Sequence, residues 1–419
     1  LVDSGVQCNN ITLVKRTIPC GMKGSRKWSG TAQWNTKLFF CPCNAPSVLV
    51  FDNDTEKIKT LNCGFGGSWK WIGIASYGNK LFCAPHNAAV ILVIDGETEE
   101  MHTISLDIKG SEKWQGIVRC GTKLYCAPYN SSSVLVIDGE TEKVHTIPCG
   151  VEGERKWVGI AVYGTKLFCC PGKASSILVI DSESEEVHTI PLDDFSGELK
   201  WQGIACYDKK LYCAPCNASS VLVIDGDTEE IHTISCGIDG GLKWSGIECF
   251  ANKLVCSPYN ASSALIIDGE TEKIALRPCD DVKGDKKWSD ITQCGTKLVC
   301  SPRDSKDILI LEDYKTLLEL KDRRHSLRPY LKNSLKLDDP QNVSKTKENL
   351  NSADVPMISI DSESCQNSTK SEDYCNILDP EEYQNALGEP ENDQDLLDEL
   401  ENDQDLLDEP ENDQDLLDE

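Results

Sequence analysis

No stretch of the 419-residue chain approaches the roughly 18–20 continuous apolar residues that a membrane-spanning helix needs, which excludes an integral membrane protein of that kind. Long basic runs are missing too. Acidic side chains number 69 against 42 basic ones, for a formal charge of −27, and this argues against a general nucleic-acid binder. The acidity is uneven. The last forty residues hold 18 of the acidic side chains and none of the basic ones, so the body carries only −9. No charged-then-apolar leader follows Leu1, and the chain reads as processed or as a fragment. Between Trp28 and Ile310 no segment has helical periodicity long enough to compete with strands.

What is present is a repeat. The dipeptide Lys-Trp recurs as Lys27-Trp28, Lys70-Trp71, Lys113-Trp114, Lys156-Trp157, Lys200-Trp201, Lys243-Trp244 and Lys287-Trp288, with spacings of 43, 43, 43, 44, 43 and 44 residues. The third unit shows four short strand signals: Gly116 to Cys120, Leu124 to Ala127, Ser133 to Ile137 and Val144 to Ile147. Gly121-Thr122-Lys123 and Pro128-Tyr129-Asn130 turn the chain between them. Asp138-Gly139-Glu140-Thr141 makes the last hairpin, with Asp as its cap and Gly as the residue of positive φ. Four strands in about 43 residues are one propeller blade, and seven units predict an all-β, seven-bladed β-propeller over residues 1–321.

The run Lys123-Leu-Tyr-Cys-Ala-Pro-Tyr-Asn-Ser-Ser-Ser-Val-Leu-Val-Ile-Asp138 resembles the YVTN-type β-propeller repeat: a Leu-Tyr strand, an Asn-rich turn and a Val-x-Val-Ile-Asp strand. The resemblance covers roughly residues 11–320. It implies a fold and a recognition platform, and no particular reaction. The chain departs from the pattern in its uniform Lys-Trp and in the Cys after the aromatic residue.

Val14 to Gly21 matches the fourth strand of a unit, compare Val144 to Gly150. A strand at about 13–19 is therefore expected to close the ring as the outer strand of blade seven, whose inner three strands come from 289–312. Leu317 to Leu320 is a competing outer strand, and a truncated eighth blade is the alternative. Beyond the ring, 322–388 reads as a polar disordered linker, and 389–419 as disordered repeats of Glu389-Pro-Glu-Asn-Asp-Gln-Asp-Leu-Leu-Asp398, recurring from Glu399 and Glu409. Ser326, after Arg323 and Arg324, matches a basophilic kinase site.

Two readings of the Lys-Trp ring compete. It is either a basic, aromatic rim that captures a protein, a peptide or the chain's own acidic tail, or a set of inter-blade packing elements. Uniformity favours packing, because a ligand needs asymmetry. Asymmetry appears in the residue after the turn proline, which is Cys43, His86, Tyr129, Gly172, Cys216, Tyr259 and Arg303 in turn; these are expected to encircle one face as a specificity surface. Arg119, Glu248 and Asp290 are the ionisable exceptions of the inner strands and candidates for a channel acid–base set. Cys83, Cys126, Cys169, Cys213, Cys256 and Cys300 share a position with Phe40, and Cys20, Cys63, Cys149, Cys236 and Cys279 share one with Leu106 and Leu192. Such swaps mark packing thiols and no disulfide framework. Cys213 and Cys216 lack a second ligand pair, and His102, His145, His188 and His232 lie on separate blades, so neither metal nor cofactor is expected. Asn10, Asn53, Asn130, Asn217, Asn260, Asn342 and Asn367 each open a glycosylation sequon. The combined reading is a monomeric, soluble binding scaffold with an acidic regulatory tail, of unassigned compartment, its core thiols favouring an intracellular, reducing one. A propeller enzyme and an extracellular cation-binding matrix protein are the alternatives.

Overall fold

A computed structural model describes residues 13–193, 195–279 and 283–313. Ser326, the candidate strand at 317–320, the segment 322–388, the repeats 389–419 and the sequons at Asn10, Asn342 and Asn367 lie outside the described residues.

Each unit folds as its strand signals and turns dictate. In the third, Trp114–Cys120, Lys123–Pro128, Ser133–Asp138 and Val144–Pro148 pair antiparallel in chain order. Their middle strands are buried on both faces, which explains the unbroken run of Val, Leu and Ile in the third strand. Among the described residues there are seven such sheets. The innermost strands begin at the seven repeat tryptophans. Six blades use four consecutive strands. The seventh is built from Trp288–Cys294, Lys297–Pro302 and Asp307–Asp313, with the N-terminal strand Leu13–Pro19 on its outer edge. That strand pairs antiparallel with the last one from Leu13↔Asp313 to Pro19↔Asp307. The two ends of the ring are thus hydrogen-bonded to each other, and the edge is closed.

The hydrophobic core lies between blades. Trp157 packs with Tyr125, Val134 and Val136 of the third sheet and with Leu167, Cys169 and Leu178 of the fourth. Where the seventh sheet meets the first, Phe40 fills the space that cysteine fills elsewhere, against Val299, Ile308 and Ile310. The repeat cysteines are buried here as small apolar groups.

Two local features set the geometry of the centre. The innermost strand is bulged after each tryptophan, between Trp114 and Ile117 in blade three. At the bulge a β-carbon on Gly116 would lie 2.7 Å from the Val158 carbonyl oxygen of the next blade, so the inner strands of blades three and four approach too closely for a side chain at this position. The hairpin glycine has a different role from the one its sequence suggests. Asp138 caps the turn, accepting the Thr141 N–H at 2.7 Å, but the positive φ falls on Glu142, at 59°. Gly139 is required because the Tyr77 ring sits 2.5 Å from where its β-carbon would be.

Candidate functional site

The connections between blades and the Pro-x-Asn turns share one face of the ring, called the turn face below. Here the Lys-Trp pairs are construction. Every repeat tryptophan is fully buried, and its indole N–H donates to the carbonyl opening the third strand of its blade, as Trp114 does to Ser133 at 2.8 Å. Every partner lysine is buried as well. Lys113 Nζ donates to the carbonyls of His86, Ala88 and Gly110 at 3.2, 2.9 and 3.3 Å, tying blade three to the turn of blade two. Burial lowers the ammonium pKa of Lys27, Lys70, Lys113, Lys156, Lys200 and Lys287, and the carbonyls replace the lost water. Of the two readings of the Lys-Trp ring, this burial supports packing between blades, and it leaves these side chains little surface to offer a ligand. Sequence reads lysine as exposed because an isolated buried ammonium is costly; a cage of carbonyls offsets part of that cost.

The same lysines organise the face. Each lysine N–H donates to the variable residue of the preceding turn, and each lysine carbonyl accepts from the variable residue of its own turn. Arg303 O–Lys27 N, Lys27 O–Cys43 N, Cys43 O–Lys70 N, Lys70 O–His86 N and onward to Lys287 O–Arg303 N form a closed circle of backbone hydrogen bonds of 2.9–3.1 Å. Cys43, His86, Tyr129, Gly172, Cys216, Tyr259 and Arg303 therefore encircle the mouth of the central channel.

Their side chains are unequal. Cys43 and Cys216 are small and buried, and a β-carbon on Gly172 would lie 2.8 Å from the Arg155 carbonyl oxygen. His86 lies 5.4 Å from the Tyr129 ring and 5.9 Å from Trp69, with Nδ1 2.9 Å from the Trp114 carbonyl. Burial pushes its pKa down to about 4, so it is neutral, carries its proton on Nδ1 and leaves Nε2 unprotonated. Burial also raises the Tyr129 and Tyr259 hydroxyls to about 12. Arg303 reaches over the mouth. Its guanidinium is 5.0 Å from the Trp69 ring centre and 5.4 Å from that of Tyr259, and Arg26 approaches Trp69 at 4.7 Å. No carboxylate among the described residues pairs with Arg303, and its buried Nε has no hydrogen-bond partner.

Below Arg303 lies a cavity of about 110 Å³ lined by Gly30, Gly73, Gly116, Gly159, Gly203 and Gly246, with Asp290 in the seventh glycine position. Asp290 Oδ2 accepts the Thr31 N–H at 2.8 Å. Burial raises its carboxyl to about 7 against the opposing pull of the Thr31 and Ile291 N–H groups. Glu248 is also raised to about 7, first by burial and further by the charge of Asp290, while the N–H groups of Cys249 and Gln293 pull it back. Arg119 does not join them. It is exposed, donates to its own turn at Gly121 O (3.1 Å) and stacks on Tyr77 at 5.3 Å. The three channel candidates do not converge.

Glu248 and Asp290 instead belong to the seams flanking blade seven. Ser245 Oγ donates to Ser289 O at 2.7 Å, Ser289 Oγ to Ser29 O at 3.0 Å and Thr292 Oγ1 to Thr31 O at 3.2 Å. Side-chain hydrogen bonds supplement the joint where the chain ends meet.

Two repeating features escape a reading of residue type. On the opposite rim Glu56, Glu99, Glu142, Glu185, Glu229 and Glu272 all have positive φ, and each carboxylate binds two basic side chains of the preceding blade. Glu142 takes Lys80 at 2.7 Å and His102 at 2.8 Å. This is the role of His102, His145, His188 and His232. On the turn face the residue before each lysine also has positive φ. These are Arg26, Trp69, Glu112, Arg155, Leu199, Leu242 and Lys286, alike in conformation and unlike in chemistry. The turn asparagines hold them: Asn130 Oδ1 accepts the Arg155 N–H and Asn260 Oδ1 the Lys286 N–H, each at 2.8 Å, and Asn217 does the same for Leu242 at 2.7 Å. That contact gives these three sequon asparagines a structural role.

The class is thus defined: a closed seven-bladed β-propeller whose turn face carries an arginine–aromatic centre over a narrow channel. No protein-family model matches the chain, and no curated protein matches it. Solved propellers do. Virginiamycin B lyase from Staphylococcus aureus superposes with a TM-score of 0.63 at 13% identity, covering 72% of this chain and 99% of that one. A Kuenenia stuttgartiensis hydrazine synthase chain gives 0.55 at 14%, covering 70% and 98%, and a chain of the mitotic checkpoint complex 0.56 at 11%, covering 75% and 94%. At these identities the likeness is one of fold. Among the described residues no helix is long and apolar enough to cross a membrane.

Proposed function

We propose that the protein is a non-catalytic binding module of the YVTN-like propeller type that takes an anionic protein or peptide ligand on its turn face. One observation carries the reading: the Arg303 guanidinium, without a carboxylate partner, stands over the channel mouth against the Trp69 and Tyr259 rings, with a buried Nε that lacks an acceptor. An arginine held by stacking rather than by an ion pair is pre-set for a carboxylate or phosphate. The chain's own repeats at 389–419 carry the complementary, acidic charge. Calorimetric titration with an oligoglutamate peptide at low salt tests this. Binding is expected to weaken at least tenfold in Arg303→Gln, to fall with added salt and to strengthen on deletion of 386–419. An affinity indifferent to Arg303 contradicts the reading.

A propeller enzyme is the second reading. What supports it is His86, neutral and with Nε2 unprotonated, grouped with Tyr129 and near Arg303 on the mouth. Turnover abolished by His86→Ala would establish that role in place of simple binding.

A further inference from the structure

The left-handed conformation is unfavourable for a residue with a side chain, and glycine or asparagine relieves that cost. On the hairpin rim the cost recurs with a uniform use: six glutamates pair with lysine and a second basic side chain. On the turn face it recurs seven times, at φ of 48–55°, with no glycine and no common chemistry. In six of the seven blades the backbone N–H is clamped by a turn Asn or Asp oxygen (Asn44, Asn87, Asn130, Asn217, Asn260 and Asp304), so the backbone is fixed whatever the side chain. Construction therefore explains the conformation and leaves the choice of side chain unexplained.

Around the ring those side chains sort into sectors. Leu199 and Leu242 enter blades five and six, and both are partly exposed. Lys286 and Arg26 enter blades seven and one, flanking Arg303, and Trp69 follows on blade two against both arginines. Glu112 and Arg155 complete the circle on blades three and four, and Arg155 is engaged with Glu198 at 3.4 Å. An aliphatic sector thus adjoins a cationic, aromatic one.

We infer that the turn face reads a short acidic peptide bearing adjacent large aliphatic side chains, its carboxylates directed to Arg26, Lys286 and Arg303 and its aliphatic groups to Leu199 and Leu242. This rests on the turn-face reading above and names its ligand. The leucine sector and the acidic Glu112 and Glu198 fit such a peptide better than a polyphosphate backbone, which would need a continuous basic track.

A labelled peptide with the sequence of Glu389–Asp398 carries the required chemistry and serves as the probe. It is titrated against the chain ending at Lys321, which keeps every strand of the ring, with thermal melting compared with the full chain to verify folding. Binding is expected to fall about tenfold when both peptide leucines become serine, and by a similar factor in the Leu199→Ser/Leu242→Ser protein. Combined, the two changes are expected to add little beyond either alone. A leucine-free peptide that binds as well as the parent, yet still needs Arg303, overturns the aliphatic sector and leaves the anion site standing. No binding by either peptide removes both ideas. An oligonucleotide that binds more tightly than the peptide overturns the ligand class.

Discussion

Two carboxyl groups on the inner strands carry the clearest pH signature of single residues. Glu248 and Asp290 are raised to about 7 by burial, whereas the same groups in an unfolded chain titrate near 4. Between about pH 4 and pH 7 the unfolded chain has released protons that the fold retains, so this pair lowers stability as pH rises through that window. Below about 4 the penalty is absent, and above about 7 it is fully present. Carboxylates such as Glu142 and Asp268, held low by lysine, act in the opposite direction. A Glu248→Gln/Asp290→Asn protein keeps the acceptors for the N–H groups of Cys249 and Thr31 and removes only the ionisation. Its melting temperature is expected to gain on that of the unsubstituted protein from pH 4 to pH 8. A gap that stays constant across the range contradicts the assignment. Sequence singled out both residues as exceptions among apolar and small neighbours. It could not tell seam from active site, because the distinction lies in which N–H groups they face.

At the scale of elements, the number and order of strands were legible in the sequence because β-branched runs, Asp-capped hairpins and the 43-residue spacing all agreed. The outer strand of the last blade was legible as well, since Val14 to Gly21 repeats the pattern of Val144 to Gly150. Conformation was less so. The positive φ of Glu142 and of Arg155 arises from turn geometry, at one position always glutamate and at the other shared by chemically unlike residues, and neither residue type signals it. Closure by the strand Leu13–Pro19 has a direct consequence: its removal exposes the last strand, Asp307–Asp313, and opens the joint at which Ser289, Asp290 and Thr292 reach the first blade. A chain lacking residues 1–20 is expected to lose its sharp thermal transition and to aggregate on size-exclusion chromatography. An intact, monomeric transition would contradict the latch.

For the whole molecule, uniform and varied positions fall into separate sets. The lysine circle, the buried tryptophans and the glutamate belt recur blade after blade, and they join blades. The turn face departs from sevenfold symmetry at Arg303, Trp69, His86, Tyr129 and the Leu199–Leu242 sector, and departure is what recognition of an asymmetric ligand requires. Hydrogen–deuterium exchange of the ring ending at Lys321, with and without the acidic leucine peptide, tests this division directly. Slower exchange is predicted at 26–27, 69–70, 242–243, 286–287 and 303–304, with none at the hairpins 54–57, 97–100 and 140–143. Protection confined to those hairpins, or spread evenly over both faces, would contradict the account.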